Sequence, residues 1–164
     1  MTRKRGSRPS RKNIPLSRSE VMSRVKHKDT RPEWRVRRAF WTAGLRYRLH
    51  VKDLPGRPDL VFPSRKVVLF VHGCFWHAHE GCPRHRIPKS RSEWWTDKIL
   101  GNKARDARTK EALEALGWMV LVIWECESEA PERVAHYVDL VRSISSRSGA
   151  AGPRGRLDDV AAPR

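Results

Sequence analysis

A chain of 164 residues is long enough for one domain with a buried core and terminal tails. Its 35 Lys and Arg outnumber 18 Asp and Glu, and the net charge of +17 favours a polyanionic partner, nucleic acid first and an acidic membrane second. No apolar run approaches the roughly 20 residues a bilayer requires, and no apolar stretch follows the basic start, so neither a membrane span nor a signal peptide is expected.

Residues 1–17 read as a disordered basic arm: Met1 to Arg18 holds seven Lys or Arg, no acid, and scattered Gly, Ser and Pro, a composition suited to phosphate contact or to solubility alone. The domain proper is expected over 18–145. It starts with a short helix from Ser17 to Lys28, in which Val21, Met22 and Val25 recur at helical spacing. Thr30-Arg-Pro-Glu33 is a capping box with proline in the first turn; Val36, Ala39, Phe40 and Ala43 continue one apolar face until Gly44 ends the helix. Leu45 to Val51 alternates apolar with polar residues and predicts a half-buried strand. After the Pro55-Gly56 turn, Pro58 sets an extended backbone and Asp59 opens a strand to Phe62. Pro63-Ser64-Arg65 breaks it, and Lys66 to Val71 is a buried second strand that delivers its end into His72-Gly-Cys-Phe-Trp-His77-Ala-His79. Asp59 and the histidines are thus expected to meet at one sheet edge.

Pro83 to Lys89 is a loop, and Ser90 or Ser92 is expected to cap a helix from Glu93 to Leu116, ended by Gly117. Its middle is polar nearly all round, so it is solvated or faces nucleic acid, and Gly101 is a candidate break. Trp118 to Trp124 is apolar throughout and predicts a strand buried on both faces at the sheet centre. Pro131 to Ile144 is a last helix, and 146–164 is a flexible tail. Helices alternating with strands predict an α/β fold with a mixed central sheet flanked by helices.

Three cysteines in a chain with no visible secretory signal argue against a disulfide framework and for metal ligation. Cys74, His79 and Cys82 share one loop, and Cys126 follows the Trp118 strand; three thiolates and an imidazole suit a closed tetrahedral zinc site. His85 and Glu80 are rival ligands, and three ordinary buried cysteines are the plain alternative. A second set, Asp59, His72 and His77, joins a hard oxygen donor for magnesium to imidazoles that move protons, the parts of metal-assisted phosphodiester hydrolysis. Glu33 is explained by capping alone.

Leu54-Pro-Gly-Arg-Pro-Asp59, Phe70-Val-His-Gly-Cys-Phe-Trp-His77 and Trp124-Glu-Cys126, in that order, resemble the very-short-patch-repair (Vsr) mismatch endonucleases, over a stretch from about Arg18 to Glu127. The resemblance implies a restriction-endonuclease-like fold with a structural zinc site, and nicking of the thymine strand at T:G mismatches left by deamination of 5-methylcytosine. It implies that Asp59 and the main-chain carbonyl of Val71 hold catalytic Mg2+, that His77 activates water and that His72 assists at the phosphate. Cys74, His79, Cys82 and Cys126 are the implied Zn2+ ligands. Phe75, Trp76 and Met22 are the implied wedge in the DNA stack, and Glu33 falls where the family has an active-site glutamate. Related nucleases carry an acid-x-Lys pair on the second hairpin strand; this strand has Phe70 and His72 instead, a loss the narrower family shares. Val71 replaces a polar residue expected in some relatives. The implied partners are double-stranded DNA with a T:G mismatch and mismatch-repair proteins, with no membrane, for a monomer in the cytoplasm, associated with the nucleoid. Two other readings are a non-catalytic, zinc-stabilised binder of distorted DNA and a nuclease of a restriction or junction-cleaving system.

Overall fold

The structure is a computed structural model that describes residues 28–145. The basic arm, the first predicted helix as far as residue 27, with Met22, and the tail from residue 146 lie outside the described residues. The elements are α1 (Arg31–Thr42), β1 (Leu60–Phe62), β2 (Val67–His72), α2 (Ser92–Ala115), β3 (Met119–Trp124) and α3 (Pro131–Ser143), with short 3-10 turns at Pro63–Arg65 and Glu127–Glu129.

The capping box forms as its sequence dictates. Thr30 Oγ1 accepts the Glu33 N–H at 3.4 Å, and Glu33 Oε1 accepts the Thr30 N–H at 3.4 Å. β1 runs antiparallel to β2 with Leu60 opposite Leu69, and β2 runs parallel to β3 with Val67 opposite Met119 and His72 opposite Trp124. Strand alternation then sorts the side chains between two layers. Leu60, Phe62, Val67, Leu69 and Ile123 join Val36 and Phe40 of α1 and Val138 and Val141 of α3 in the main core. Val61 and Val68 face Leu113 of α2 on the other side. The result is the expected α/β arrangement, a mixed sheet between helices. Phe40, Phe62 and Tyr47 anchor the first layer, with Phe62 centroids 5.2 Å from Phe40 and 6.0 Å from Tyr47. Each fully buried side chain of this size contributes about 1.5–3 kcal/mol.

Four expectations need correction. Leu45 to Val51 has the predicted alternation, with Leu45 and Tyr47 buried, yet it forms only a bridge between Arg48 and Val61. The extended run ends because His50 takes a left-handed φ of 45° that turns the chain and swings its ring toward Asp59. β3 is an edge strand, since the strand order is β1-β2-β3; its apolar faces are covered by the helical layers, but Met119 stays 46% exposed. Neither Ser90 nor Ser92 is the cap: the residue before α2 is Arg91, left-handed, and its side chain makes no capping bond. Gly101 does not break α2, which runs unbroken over 24 residues and is held at both ends by Trp95, Ile99 and Leu113.

Candidate catalytic cleft and metal centre

Asp59 is set by the turn before it and the strand beside it. Gly56 has φ +69°, and a Cβ there would lie 2.3 Å from Thr109 Cγ2, so only glycine lets this turn seat against α2. Asp59 Oδ2 accepts the Val71 N–H at 2.7 Å, which places the carboxylate against the C-terminal half of β2. Burial pushes its pKa up to about 6, although the Val71 bond pulls the other way and the nearby Glu33 charge adds to the rise. A half-buried carboxylate of this kind, 19% exposed, is well suited to a cation. Asp59 belongs to none of the tight His, Cys, Asp and Glu donor clusters among the described residues. One carboxylate completed by main-chain, water and phosphate oxygens is how Mg2+ is usually held, so the donor chemistry fits that ion.

Behind Asp59 lies a charge network that the sequence reading missed. Arg37, 3% exposed, donates to Glu33 Oε2 at 2.7 Å, and its second NH2 contact is His50 Nε2 at 3.0 Å. His50 Nδ1 is in turn 4.0 Å from Asp59 Oδ1. Glu33 therefore does more than cap: it is 5% exposed, it neutralises a buried arginine, and it lines a cleft of about 440 Å3 with Val71, Gly73, Trp76, His77 and Glu125.

The rings of His72 and His77 are stacked, 3.9 Å between centroids and 13° from parallel. Burial, then the neighbouring His77, holds the pKa of His72 down to about 4, so it is neutral at physiological pH. His77 Nδ1 lies 2.6 Å from Asp106 Oδ2 of α2. That contact fixes a tautomer with the proton on Nδ1 and leaves Nε2 as the acceptor. Asp106 is the second group missed. Its signal was the i, i+4 pair Asn102 and Asp106 in a helix whose polar middle had no assigned work. Asn102 Nδ2 donates to the Trp76 carbonyl at 2.9 Å, tying the histidine loop to the same helix. Phe75 and Trp76 both pack on Trp95 at the start of α2, at 5.3 and 6.0 Å between centroids, and remain partly exposed.

Cys74, His79, Cys82 and Cys126 come together, each offering a donor within 4.8 Å of the others. His79 Nδ1 is 3.5 Å from Cys74 Sγ and 3.4 Å from Cys126 Sγ, and its ring stacks on Trp124 at 4.1 Å. Burial pushes the Cys74 thiol up to about 12, and burial also raises Cys126. Thiols so disposed ionise only beside a positive charge, and three sulfurs with one imidazole are the donor set of a structural zinc ion. The rivals lie elsewhere: Glu80 is exposed and paired with Lys103 at 2.6 Å, and His85 is outside the cluster.

Comparison with known proteins identifies related chains. The family model described as DNA mismatch endonuclease Vsr matches residues 12–84. The chain is 56% identical over 113 residues to the type II nicking enzyme V.XorIIP of Xanthomonas oryzae, covering 69% of this chain and 82% of that one. It is 44% identical over 110 residues to the type II nicking enzyme V.NmeAIP of Neisseria meningitidis, covering 67% and 78%. It is 40% identical over 118 residues to the DNA mismatch endonuclease Vsr of Escherichia coli, covering 72% and 75%.

Proposed function

The chain belongs to the Vsr family of DNA mismatch endonucleases, hydrolases that act on DNA, and on that premise we propose that it nicks one strand at T:G mismatches in a Mg2+-dependent reaction. The observation that carries the reading is the junction at the end of β2, where a half-buried carboxylate bonded to the Val71 N–H shares the strand end with an imidazole oriented by Asp106. Asp59 and the Val71 carbonyl would hold Mg2+, which when bound polarises a phosphate oxygen and acidifies water. His77 Nε2 takes the proton of the attacking water while Asp106 stabilises the imidazolium that results. Water oxygen bonds to phosphorus, the bond from phosphorus to the leaving sugar oxygen breaks, and that oxygen is protonated. His72, neutral, donates its one N–H to a phosphate oxygen rather than pairing with it as a cation. Glu33 holds Arg37 and lines the cleft wall.

In this reading Cys74, His79, Cys82 and Cys126 hold a structural Zn2+, and Phe75 and Trp76, with Met22 from the segment outside the described residues, form the wedge at the mismatch. Unstacking costs a few kcal/mol and costs least where pairing is already defective, which favours T:G over T:A. Among the described residues, the β2-centred mixed sheet with helices on both faces supports a restriction-endonuclease-like architecture for the domain proposed over 18–145. The protein acts as a monomer, cytoplasmic and nucleoid-associated, with mismatch-repair proteins as candidate partners. No helix among the described residues is long and apolar enough to cross a membrane. A nicking assay on T:G and T:A duplexes, with and without Mg2+, tests the proposal. Cleavage is expected only of T:G and only with the ion; equal cleavage of T:A, or full activity in a chelator, overturns it.

A further inference from the structure

His77 forms part of two walls. One faces the cleft with Glu33 and Val71. The other, with His72 and Asp106, borders a separate cavity of about 520 Å3 between α2 and the β2–β3 face, floored by Phe70, Val120 and Val122. On that side one donor atom from each of His72, His77 and Asp106 lies within 4.8 Å of the other two. The His72 and His77 rings are cofacial at 3.9 Å, so one ring must turn about its side-chain bond before both in-plane lone pairs meet one ion; Asp106 Oδ2 is already 2.6 Å from His77 Nδ1. Two imidazoles and one carboxylate make a borderline donor set, preferred by Zn2+, Co2+ and Ni2+ rather than by Mg2+. Three protein donors beside an open cavity leave a fourth position for water.

We propose that His72, His77 and Asp106 form a second transition-metal site, distinct from the four-ligand Cys and His cluster and from Asp59, that takes Zn2+ or Co2+ from the cavity. The consequence for activity follows from the imidazole tautomer. A ring that gives its Nδ1 lone pair to a cation carries its single proton on Nε2, and Nε2 then has no lone pair for the proton of water. An ion there displaces the Asp106 contact and arrests nicking. This arrest rests on the reading of His77 as the base; the ion site itself does not. Zinc would thus be required at one centre and inhibitory at the other.

The test uses the full chain with its resident zinc in place and Co2+ as the probe, without DNA. One further equivalent should bind, with visible d–d absorption and without a thiolate charge-transfer band in the near ultraviolet. Asp106→Asn and His72→Ala should each lose that equivalent, and Glu80→Gln at the cavity rim should keep it. Absence of the further equivalent, its persistence in both ligand variants, or a thiolate band would overturn the site. In a nicking assay with Mg2+ in large excess, micromolar Zn2+ should slow the reaction by about 100-fold or more. An ion that binds as described while nicking continues at full rate would leave the site standing and overturn His77 as the base.

Discussion

Asp59 carries a cost in the metal-free protein that a cation would remove. Its folded pKa is raised to about 6 from 3.8, so the fold favours the neutral acid. The penalty is absent below about pH 4, grows as pH rises toward 6, and is complete above it, at about 3 kcal/mol. Asp59→Asn keeps an acceptor for the Val71 N–H and removes the charge. In the absence of Mg2+ it should raise Tm at pH 8 and leave it unchanged near pH 4, while nicking falls by orders of magnitude and T:G duplex binding persists. Undiminished nicking would remove Asp59 from the site. Asp106→Asn should lower kcat with little change in KM for duplex, because the imidazolium loses its counter-charge while DNA contacts remain. For Glu33→Gln the buried Arg37 would lose its buried carboxylate and keep only the exposed Asp29 as an ionic partner, and a stability loss of about 2 kcal/mol is expected, more than the roughly 1 kcal/mol typical of a cap. A loss of nicking at unchanged Tm would make the catalytic role of Glu33 primary.

The long helix and the histidine loop hold each other in place. Asn102 grips the loop backbone, Asp106 grips His77, Trp95 supports Phe75 and Trp76, and Thr109 receives the Gly56 turn. Gly56→Ala should therefore lower Tm by an amount corresponding to about 2 kcal/mol or more and weaken nicking together with it, since both the left-handed φ and the 2.3 Å approach are violated. Cys126 ties the end of β3 to the loop after β2, so Cys126→Ser should release one zinc per chain and lower Tm; full metal content in that variant would assign the zinc to other groups. Trp76→Ala should keep zinc and most of the thermal stability but lose its preference for T:G over T:A duplex. Unfolding with loss of zinc would show Trp76 to be structural. The polar middle of α2 was visible in the sequence as a surface without a purpose; its contacts with the loop were not, because they join residues about 30 positions apart.

Charge acts over the full length of the protein. Six of the 35 cations fall in residues 1–17, and removing that arm should weaken duplex binding and flatten its salt dependence by a slope of up to about 5 without changing the preference for T:G. An altered mismatch preference would show that the arm reads more than phosphate. The sequence by itself determined the α/β class, the capping box of α1 and the two-strand hairpin, and it pointed to the Cys74, His79, Cys82 and Cys126 cluster while leaving His85 and Glu80 as rivals. Each of these is written in local periodicity, turn residues or ligand types. It also placed Asp59 beside the end of β2, because a short hairpin leaves few registers that bury both strands. Only the tertiary structure put β3 at the edge and gave Asp106 to His77. It alone built the network from Arg37 through His50 to Asp59. These depend on which helix covers which sheet face and on a single left-handed turn at His50, neither of which leaves a periodic trace in the chain.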